Sequence, residues 1–224
     1  MTKTELAHII DHTLLDPKAT PTDIARIANE ALEHQFGAIC VNSGYVQHAK
    51  SCLPSSQAPR IAATVGFPLG QANAAGKIAE AEQACRDGAT EIDAVWNLGL
   101  FLGKQYDKVS EEIRLIKQAL GSQIFLKIIL ETGWLTPEQI RQGTVLAVDA
   151  GADMVKTSTG FGAPGASIDA VRIMRESAPE AIGVKASGGI RTLADAMAMV
   201  DAGATRLGLS RSVSILAEWP ISQS

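Results

Sequence analysis

The chain has 224 residues, and 20 Lys plus Arg against 24 Asp plus Glu give a formal net charge of −4. This length is ample for one large domain with a substantial core. A mildly acidic chain without a basic cluster lacks the positive surface that nucleic-acid binding needs. No apolar run approaches the roughly 20 residues of a membrane span. Three cysteines without CxxC spacing indicate reduced thiols, so we expect a cytoplasmic protein with neither nucleic-acid nor membrane partners.

Along the chain, the clearest signals mark where helices begin and end. Glycine followed by alanine ends four helical patterns and predicts a left-handed residue at each, namely Gly37, Gly88, Gly151 and Gly203. Residues with cap chemistry begin the patterns at Thr22 with Asp23, Asn73, Thr136 with Gln139, Ser167 and Thr192. Together these signals predict helices over about 22–35, 73–87, 105–120, 137–150, 168–177 and 193–202.

Eight apolar segments alternate with the helices and predict strands. They span about 9–15, 37–42, 61–67, 91–97, 124–131, 154–159, 182–187 and 206–210. Strict alternation predicts a parallel sheet, and eight such units close into a (β/α)₈ TIM barrel. We expect a single barrel domain over residues 1–224, with a short N-terminal helix. A doubly wound open sheet is the alternative if 9–15 or 206–210 is not a strand.

One face of the predicted strands carries the polar side chains. Asp93 lies opposite Ile92, and the same alternation applies to Asp11, Lys127, Lys156, Lys185 and Arg206. Because the helices must cover the apolar face, we expect the polar face to point into the barrel lumen. Internal salt bridges, such as Lys127 with Glu131 or Asp93, are one interpretation. Ionisable groups in a cavity at the carboxyl ends of barrel strands more often mark a site.

The segments around two of these lysines, residues 154–160 (MVKTSTG) and 183–190 (GVKASGGI), resemble deoxyribose-phosphate aldolases. Segments 10–15, 91–93 and 126–133 match the same family in order, from the first strand to the last. The resemblance implies a class I aldolase without metal or organic cofactor. It would cleave a phosphosugar, 2-deoxy-D-ribose 5-phosphate, reversibly to D-glyceraldehyde 3-phosphate and acetaldehyde through a lysine Schiff base. A homodimer is a further expectation.

The resemblance also implies roles for individual residues. Lys156 matches the lysine that forms the Schiff base. Lys185 matches a second lysine that moves protons and whose charge favours the neutral, nucleophilic amine of the first. Asp93 matches the carboxylate that relays protons through a water. The positions that match substrate-binding residues are Asp11, Thr159 and Lys127. For Lys185, direct phosphate binding is the alternative role.

Glycine-rich segments follow the seventh and eighth predicted strands. In TIM barrels these two loops, with a helix N-terminus, form the recurrent phosphate site. The residues that match the family's phosphate-binding positions are Gly188, Gly189, Gly208 and Ser210. Three departures from the family affect substrate affinity or proton transfer. Phe161 stands where some members carry lysine, Arg211 adds a charge where many carry serine, and the tail 218–224 lacks the C-terminal tyrosine of longer members.

Two other function classes stay open. A phosphosugar isomerase or epimerase would use a carboxylate or cysteine base, and Lys156 would then only bind charge. A phosphosugar-binding barrel would keep the site without the chemistry. His8 and His12 have the i, i+4 spacing of some metal ligands, but the strand pattern places them outside the lumen, so we expect no metal site.

Overall fold

A computed structural model describes residues 1–53, 58–162 and 164–220. The predicted difference in the tail therefore lies partly outside the described residues, at 221–224. The strands are β1 (Ile10–Leu14), β2 (Ala38–Asn42), β3 (Arg60–Val65), β4 (Glu91–Val95), β5 (Phe125–Ile129), β6 (Met154–Lys156), β7 (Gly183–Ser187) and β8 (Arg206–Leu209). Each pairs in parallel with the next, and β8 closes onto β1. The predicted (β/α)₈ barrel is confirmed, and the open sheet is wrong.

The described residues contain ten α-helices, which surround the sheet. They are α1 (Lys3–His8), α2 (Pro21–Glu33), α3 (Val46–Cys52), α4 (Ala74–Asp87), α5 (Leu98–Leu102), α6 (Tyr106–Leu120), α7 (Pro137–Asp149), α8 (Ile168–Ser177), α9 (Leu193–Asp201) and α10 (Ser212–Ala217). The short N-terminal helix and the six other predicted helices are confirmed. The helices α3 and α5 are not among the predictions; for α3, the preceding residue Tyr45 provides no side-chain cap. Across the described ranges, no helix combines the length and apolarity that a bilayer crossing requires.

The start of α2 differs from its prediction by one residue. Thr20, not Thr22, is the cap: its hydroxyl accepts from the Asp23 N–H at 3.3 Å, and Asp23 accepts from the Thr20 N–H at 2.9 Å. Pro21 therefore occupies the first helical position, where its missing N–H costs nothing. The other predicted caps are confirmed at Asn73, Thr136, Ser167 and Thr192.

The four glycine junctions are not equivalent. Gly88, Gly151 and Gly203 have φ values of 113°, 102° and 109°, as predicted. The prediction is wrong for Gly37, because Gln35 takes the left-handed conformation there, with a φ of 55°. A Cβ at residue 37 would lie 2.1 Å from the carbonyl oxygen of His8. Glycine is therefore required at this junction by close packing against α1.

The two faces of the strands differ as the alternation predicts. The outward side chains, such as Ile39, Ile92 and Val155, are fully buried against the helices. His12 also faces outward, where its ring nitrogens contact Glu30 at 2.7 Å and Ser212 at 2.9 Å. Strand register then places Asp93 beside Lys127, and Lys156 beside Lys185. Because paired residues are neighbours across the sheet, the inward charges form a compact cluster.

Candidate active site

Seven buried charged side chains occupy the middle of the lumen, and we call them the lumen network. They are Asp11, Glu91, Asp93, Lys127, Lys156, Lys185 and Arg206. Sequence alternation predicted six of them and missed Glu91, although Glu91 lies two residues before Asp93 and so points to the same face. The network contains four cations and three carboxylates, so one positive charge is in excess when every member is ionised.

Asp93 lies at the centre of the lumen network. Its Oδ1 accepts from the Lys127 Nζ at 2.7 Å, and its Oδ2 accepts from both Lys156 and Lys185 at 2.8 Å. Burial alone would raise the pKa of Asp93, but these three ammonium groups hold it well below its usual range. Asp93 is therefore an ionised carboxylate within hydrogen-bond distance of both predicted catalytic lysines.

Lys185 is held as a cation below the site. It donates to Asp11 and to Asp93, and its side chain is fully buried. Burial disfavours its charged form, but the two carboxylates more than offset this and raise the pKa of Lys185 above its ordinary value. Lys185 does not line the cavity described below. This position favours an electrostatic role over the alternative of phosphate binding.

Asp11 and Lys127 are also fully buried, and neither lines the cavity. Lys127 contacts Glu91 at 2.5 Å as well as Asp93. Arg206 contacts Asp11 at 2.8 Å and Glu91 at 2.6 Å. The sequence prediction assigned Asp11 and Lys127 to substrate binding, whereas their position suits holding Lys185 and Asp93 in place.

Lys156 differs from the other lysines of the network. Asp93 is its single ion-pair partner among the described residues, and Lys185 shares the same carboxylate oxygen. Lys156 also lines a cavity at the carboxyl ends of the strands, with a volume of about 420 Å³. A molecule in this cavity therefore reaches one amine of the network, that of Lys156.

The predicted phosphate residues line the same cavity. They are Gly188, Gly189, Gly208 and Ser210, and Thr159 joins them. Gly188 and Gly189 have φ values of 85° and 80°, which turn the backbone after β7 toward the cavity. Arg211 does not line the cavity. Phe161 does, half-exposed and edge-to-face with Phe67 at 5.3 Å between ring centres. A larger cavity, about 550 Å³, lies near Arg60 at the opposite end of the barrel, away from the lysines.

Glu131 does not form the salt bridge with Lys127 that the sequence suggested, whereas Asp93 does. The backbone of Glu131 has a left-handed φ of 54°. Its carboxylate accepts from the N–H and the hydroxyl of Thr159 instead. The signal for this contact is weak in sequence, because the two residues are 28 positions apart.

We expect the lumen network to make the fold sensitive to acid. The pKa values of Asp11, Glu91 and Asp93 are all lowered, because neighbouring cations outweigh burial. Their stabilisation is therefore complete above the unfolded carboxyl pKa of about 4 and is lost as pH falls through the folded values. In circular-dichroism melting experiments, Tm should decrease once the pH is lower than about 4.

A pair of variants isolates this acid effect. Glu91→Gln removes one buried titrating carboxylate, so its Tm should fall less steeply with pH in acid. Glu111→Gln removes an exposed carboxylate paired with Arg114, and it should keep the wild-type slope. Equal slopes for the two variants would contradict the assignment.

Comparison with known proteins places this barrel in a family. A family model described as DeoC/LacD family aldolase matches residues 6–212. The deoxyribose-phosphate aldolase of Thermoanaerobacter sp. (strain X514) is 44% identical over 216 residues, which covers 96% of each chain.

Solved structures agree with the sequence comparisons. A candidate deoxyribose-phosphate aldolase from Coccidioides immitis is 42% identical with a TM-score of 0.93, covering 97% of this chain and 87% of that one. The tetrameric deoxyribose phosphate aldolase of Aeropyrum pernix is 34% identical with a TM-score of 0.89, covering 97% and 92%. With the lysine-lined cavity at the expected end of the barrel, these matches show that the chain belongs to the DeoC/LacD aldolase family.

Proposed function

We propose that this protein is a class I aldolase that cleaves 2-deoxy-D-ribose 5-phosphate to D-glyceraldehyde 3-phosphate and acetaldehyde, a step in deoxyribonucleoside catabolism. The observation that carries the proposal is the position of Lys156. It combines access to the cavity with contact to Asp93, beside the buried cation Lys185. Relatives named deoxyribose-phosphate aldolase support the choice of substrate.

The first half of the reaction makes an imine. The neutral amine of Lys156 attacks the aldehyde carbon of the open-chain sugar, and the resulting carbinolamine loses water. Each step moves a proton, and Asp93 lies within hydrogen-bond distance of the reacting nitrogen. The protonated imine carries one positive charge, as the Lys156 ammonium does. The lumen network therefore keeps the same charge balance before and after imine formation.

The second half breaks the carbon–carbon bond. The electron pair of the C2–C3 bond moves into the protonated imine, and the C3 hydroxyl loses its proton. Glyceraldehyde 3-phosphate leaves as an aldehyde, and an enamine remains on Lys156. Protonation of the enamine carbon and hydrolysis of the new imine release acetaldehyde and restore the amine. Asp93 lies within hydrogen-bond distance of the reacting nitrogen and relays these protons with water as the mobile carrier, while Lys185 acts through its charge.

The phosphate fits the glycine loops after β7 and β8. Among the described residues, the backbone N–H groups of Gly188 and Gly189 donate to no acceptor. Backbone N–H groups at such turns bind phosphate without a side-chain charge. Lys156 lines the same cavity, so one sugar phosphate can reach both Lys156 and the glycine loops.

Replacing Gly189 by valine tests this division of the cavity. The added Cβ would have space, since its nearest neighbour is Gly165 Cα at 4.0 Å, but valine disfavours the φ of 80°. The loop should therefore shift, and KM for the sugar phosphate should rise about tenfold or more as charge-assisted hydrogen bonds are lost. Exchange of acetaldehyde methyl protons, which needs the imine and no phosphate, should largely persist.

Gly121→Val provides the matched control for Gly189→Val. Gly121 has a φ of 68° with open space around its Cα, and it lies after α6, away from the cavity. This variant should lose stability and keep the wild-type KM. Loss of both the phosphate-dependent and the acetaldehyde activity in Gly189→Val, with wild-type melting, would contradict the division.

Borohydride trapping tests the proposed function as a whole. An imine reduced in the presence of acetaldehyde adds a stable ethyl group, and peptide mass mapping should find it on Lys156. A phosphosugar isomerase, an epimerase or a binding barrel would gain no covalent mass. The experiment therefore separates the aldolase from both alternative functions.

We also propose that the protein works in the cytoplasm and associates with copies of itself. Cys40, Cys52 and Cys85 are free thiols in the structure, which fits a reducing compartment. The tetramer formed by the Aeropyrum pernix relative supports self-association, and the homodimer expected from the sequence is the simplest form. Light scattering of the purified protein measures the assembly directly.

A further inference from the structure

Glu131 is a buried carboxylate that the mechanism above does not use. Its side chain is 6% exposed, and no described lysine, arginine or histidine forms an ion pair with it. Its backbone adopts the left-handed conformation, with φ 54° and ψ 56°, which costs a residue with a side chain about 1 kcal/mol or more. Both a strained backbone and a buried carboxylate are unfavourable, and such features cluster at functional sites, so the contacts of Glu131 bear on its function.

Among the described residues, the side-chain hydrogen bonds of Glu131 all go to Thr159. The Thr159 N–H donates to Oε1 at 3.1 Å and to Oε2 at 3.3 Å. The Thr159 hydroxyl donates to Oε2 at 2.5 Å. An ionised carboxylate only accepts hydrogen bonds, so the single proton of this hydroxyl is committed to Glu131.

The remaining capacity of the Thr159 hydroxyl is limited to accepting. A hydroxyl oxygen has two acceptor positions, and the Phe161 N–H occupies one of them at 3.1 Å. One acceptor position is left, on a residue that lines the same cavity as Lys156 and the glycine loops. A phosphate dianion or a carbonyl oxygen cannot donate to it, whereas a sugar hydroxyl can.

We propose that Glu131 is a positioning residue that fixes the Thr159 hydroxyl as an acceptor for the C4 hydroxyl of the substrate. This inference rests on the proposed function, in which Lys156 holds C1 and the glycine loops hold the 5-phosphate. Between those ends the open-chain sugar has hydroxyls at C3 and C4, and C3 becomes a carbonyl during cleavage. The C4 hydroxyl is the donor that persists throughout the reaction. Glu131 thereby makes the enzyme selective for acceptor aldehydes with a hydroxyl beside the carbonyl.

Three acceptor aldehydes test whether the Thr159 hydroxyl accepts a hydrogen bond from the substrate. Each is condensed with acetaldehyde in the synthetic (aldol) direction. D-Glyceraldehyde 3-phosphate carries the hydroxyl, 3-phosphopropanal lacks it, and 2-fluoro-3-phosphopropanal carries a group that accepts but cannot donate. The wild-type kcat/KM should be about tenfold or more higher for the hydroxyl compound than for the deoxy compound. The fluoro compound should also stay well below the hydroxyl compound, because its fluorine activates the carbonyl but cannot donate to the Thr159 oxygen. This comparison needs no variant.

Variants of both residues complete the test. Thr159→Val should remove the preference for the hydroxyl compound, and Thr159→Ser should restore it. In Glu131→Gln, the amide oxygen takes the Thr159 N–H, so the NH₂ group donates to the Thr159 oxygen. The threonine proton is then released toward the cavity, and the fluoro-to-deoxy ratio should rise severalfold above wild type. A role in stability alone would not change this ratio.

Glu112→Gln is the matched control. Glu112 is a buried carboxylate paired with Lys77 at 2.7 Å, outside the cavity, so this variant should lower Tm and leave all ratios unchanged. The inference is overturned if wild type shows no preference for the hydroxyl compound, if Thr159→Val keeps that preference, or if Glu131→Gln leaves the fluoro-to-deoxy ratio at the wild-type value. Acetaldehyde has no hydroxyl, so borohydride trapping at Lys156 should persist in every variant; its absence from wild type would instead reject the aldolase function.

Discussion

Replacing Lys156 by arginine should reduce cleavage of 2-deoxy-D-ribose 5-phosphate by at least about four orders of magnitude, since the covalent route supplies a large part of the rate enhancement that enzymes reach. Arginine keeps the positive charge that pairs with Asp93. Its guanidinium does not deprotonate in proteins, so it cannot attack the aldehyde. Borohydride with acetaldehyde should then add no mass to the protein, and a coupled assay for glyceraldehyde 3-phosphate should read background.

The same substitution on the outer wall of the barrel controls for its bulk. Lys117 pairs with Asp153 at 2.6 Å and is partly exposed, so Lys117→Arg should retain wild-type turnover. Melting curves should show that Lys156→Arg is folded. Trapped adduct on Lys185, or substantial turnover by Lys156→Arg, would reject Lys156 as the nucleophile.

The second large effect is expected from Lys185→Leu. Removing this buried cation leaves Lys156 alone on Asp93 Oδ2, and the amine then loses its proton less readily. The acid limb of kcat/KM should move to higher pH by about one unit or more, which lowers activity at neutral pH about tenfold or more. Breaking the buried pair should also destabilise the fold by about 3 kcal/mol.

Lys77→Leu separates the electrostatic effect from the loss of stability. Lys77 is also fully buried, and its Nζ donates to Glu112 at 2.7 Å and to the Val95 carbonyl at 2.8 Å. Its removal should lower Tm comparably without moving the acid limb. An acid limb that stays in place in Lys185→Leu, together with a large rise in KM, would support the alternative that Lys185 binds the phosphate.

The alternation of residues along the strands was enough to predict the barrel and most of its interior. Once the helices are assigned to the outside, the inward position of Asp93, Lys156 and Lys185 follows from a period of two. Adjacent strands in a parallel barrel then bring the two lysines side by side, which the register confirms. The roles of these residues came from the family resemblance and remain proposals.

Other features depend on contacts that no local pattern encodes. Lys77 and Glu112 lie on helices with polar outer faces, where both would be read as exposed, yet they form a buried pair. The contact between Glu131 and Thr159 depends on a left-handed backbone that usually indicates glycine or asparagine. The helix α3 has no cap residue, so only packing determines its start.

The order of the lumen charges along the chain has a consequence for folding. The buried carboxylates Asp11, Glu91 and Asp93 all lie in the first four strands, and the buried cations of the lumen network all lie in the last four. A half-barrel made of the first four strands alone, or of the last four alone, would hold inward charges of one sign that repel one another. Each half is thus a counter-ion for the other, and residues as distant as Asp11 and Lys185, 174 positions apart, meet only when the sheet closes. A protein split between β4 and β5 should therefore yield fragments that are unstable alone, attract each other from a distance, and regain the reactive lysine environment only together.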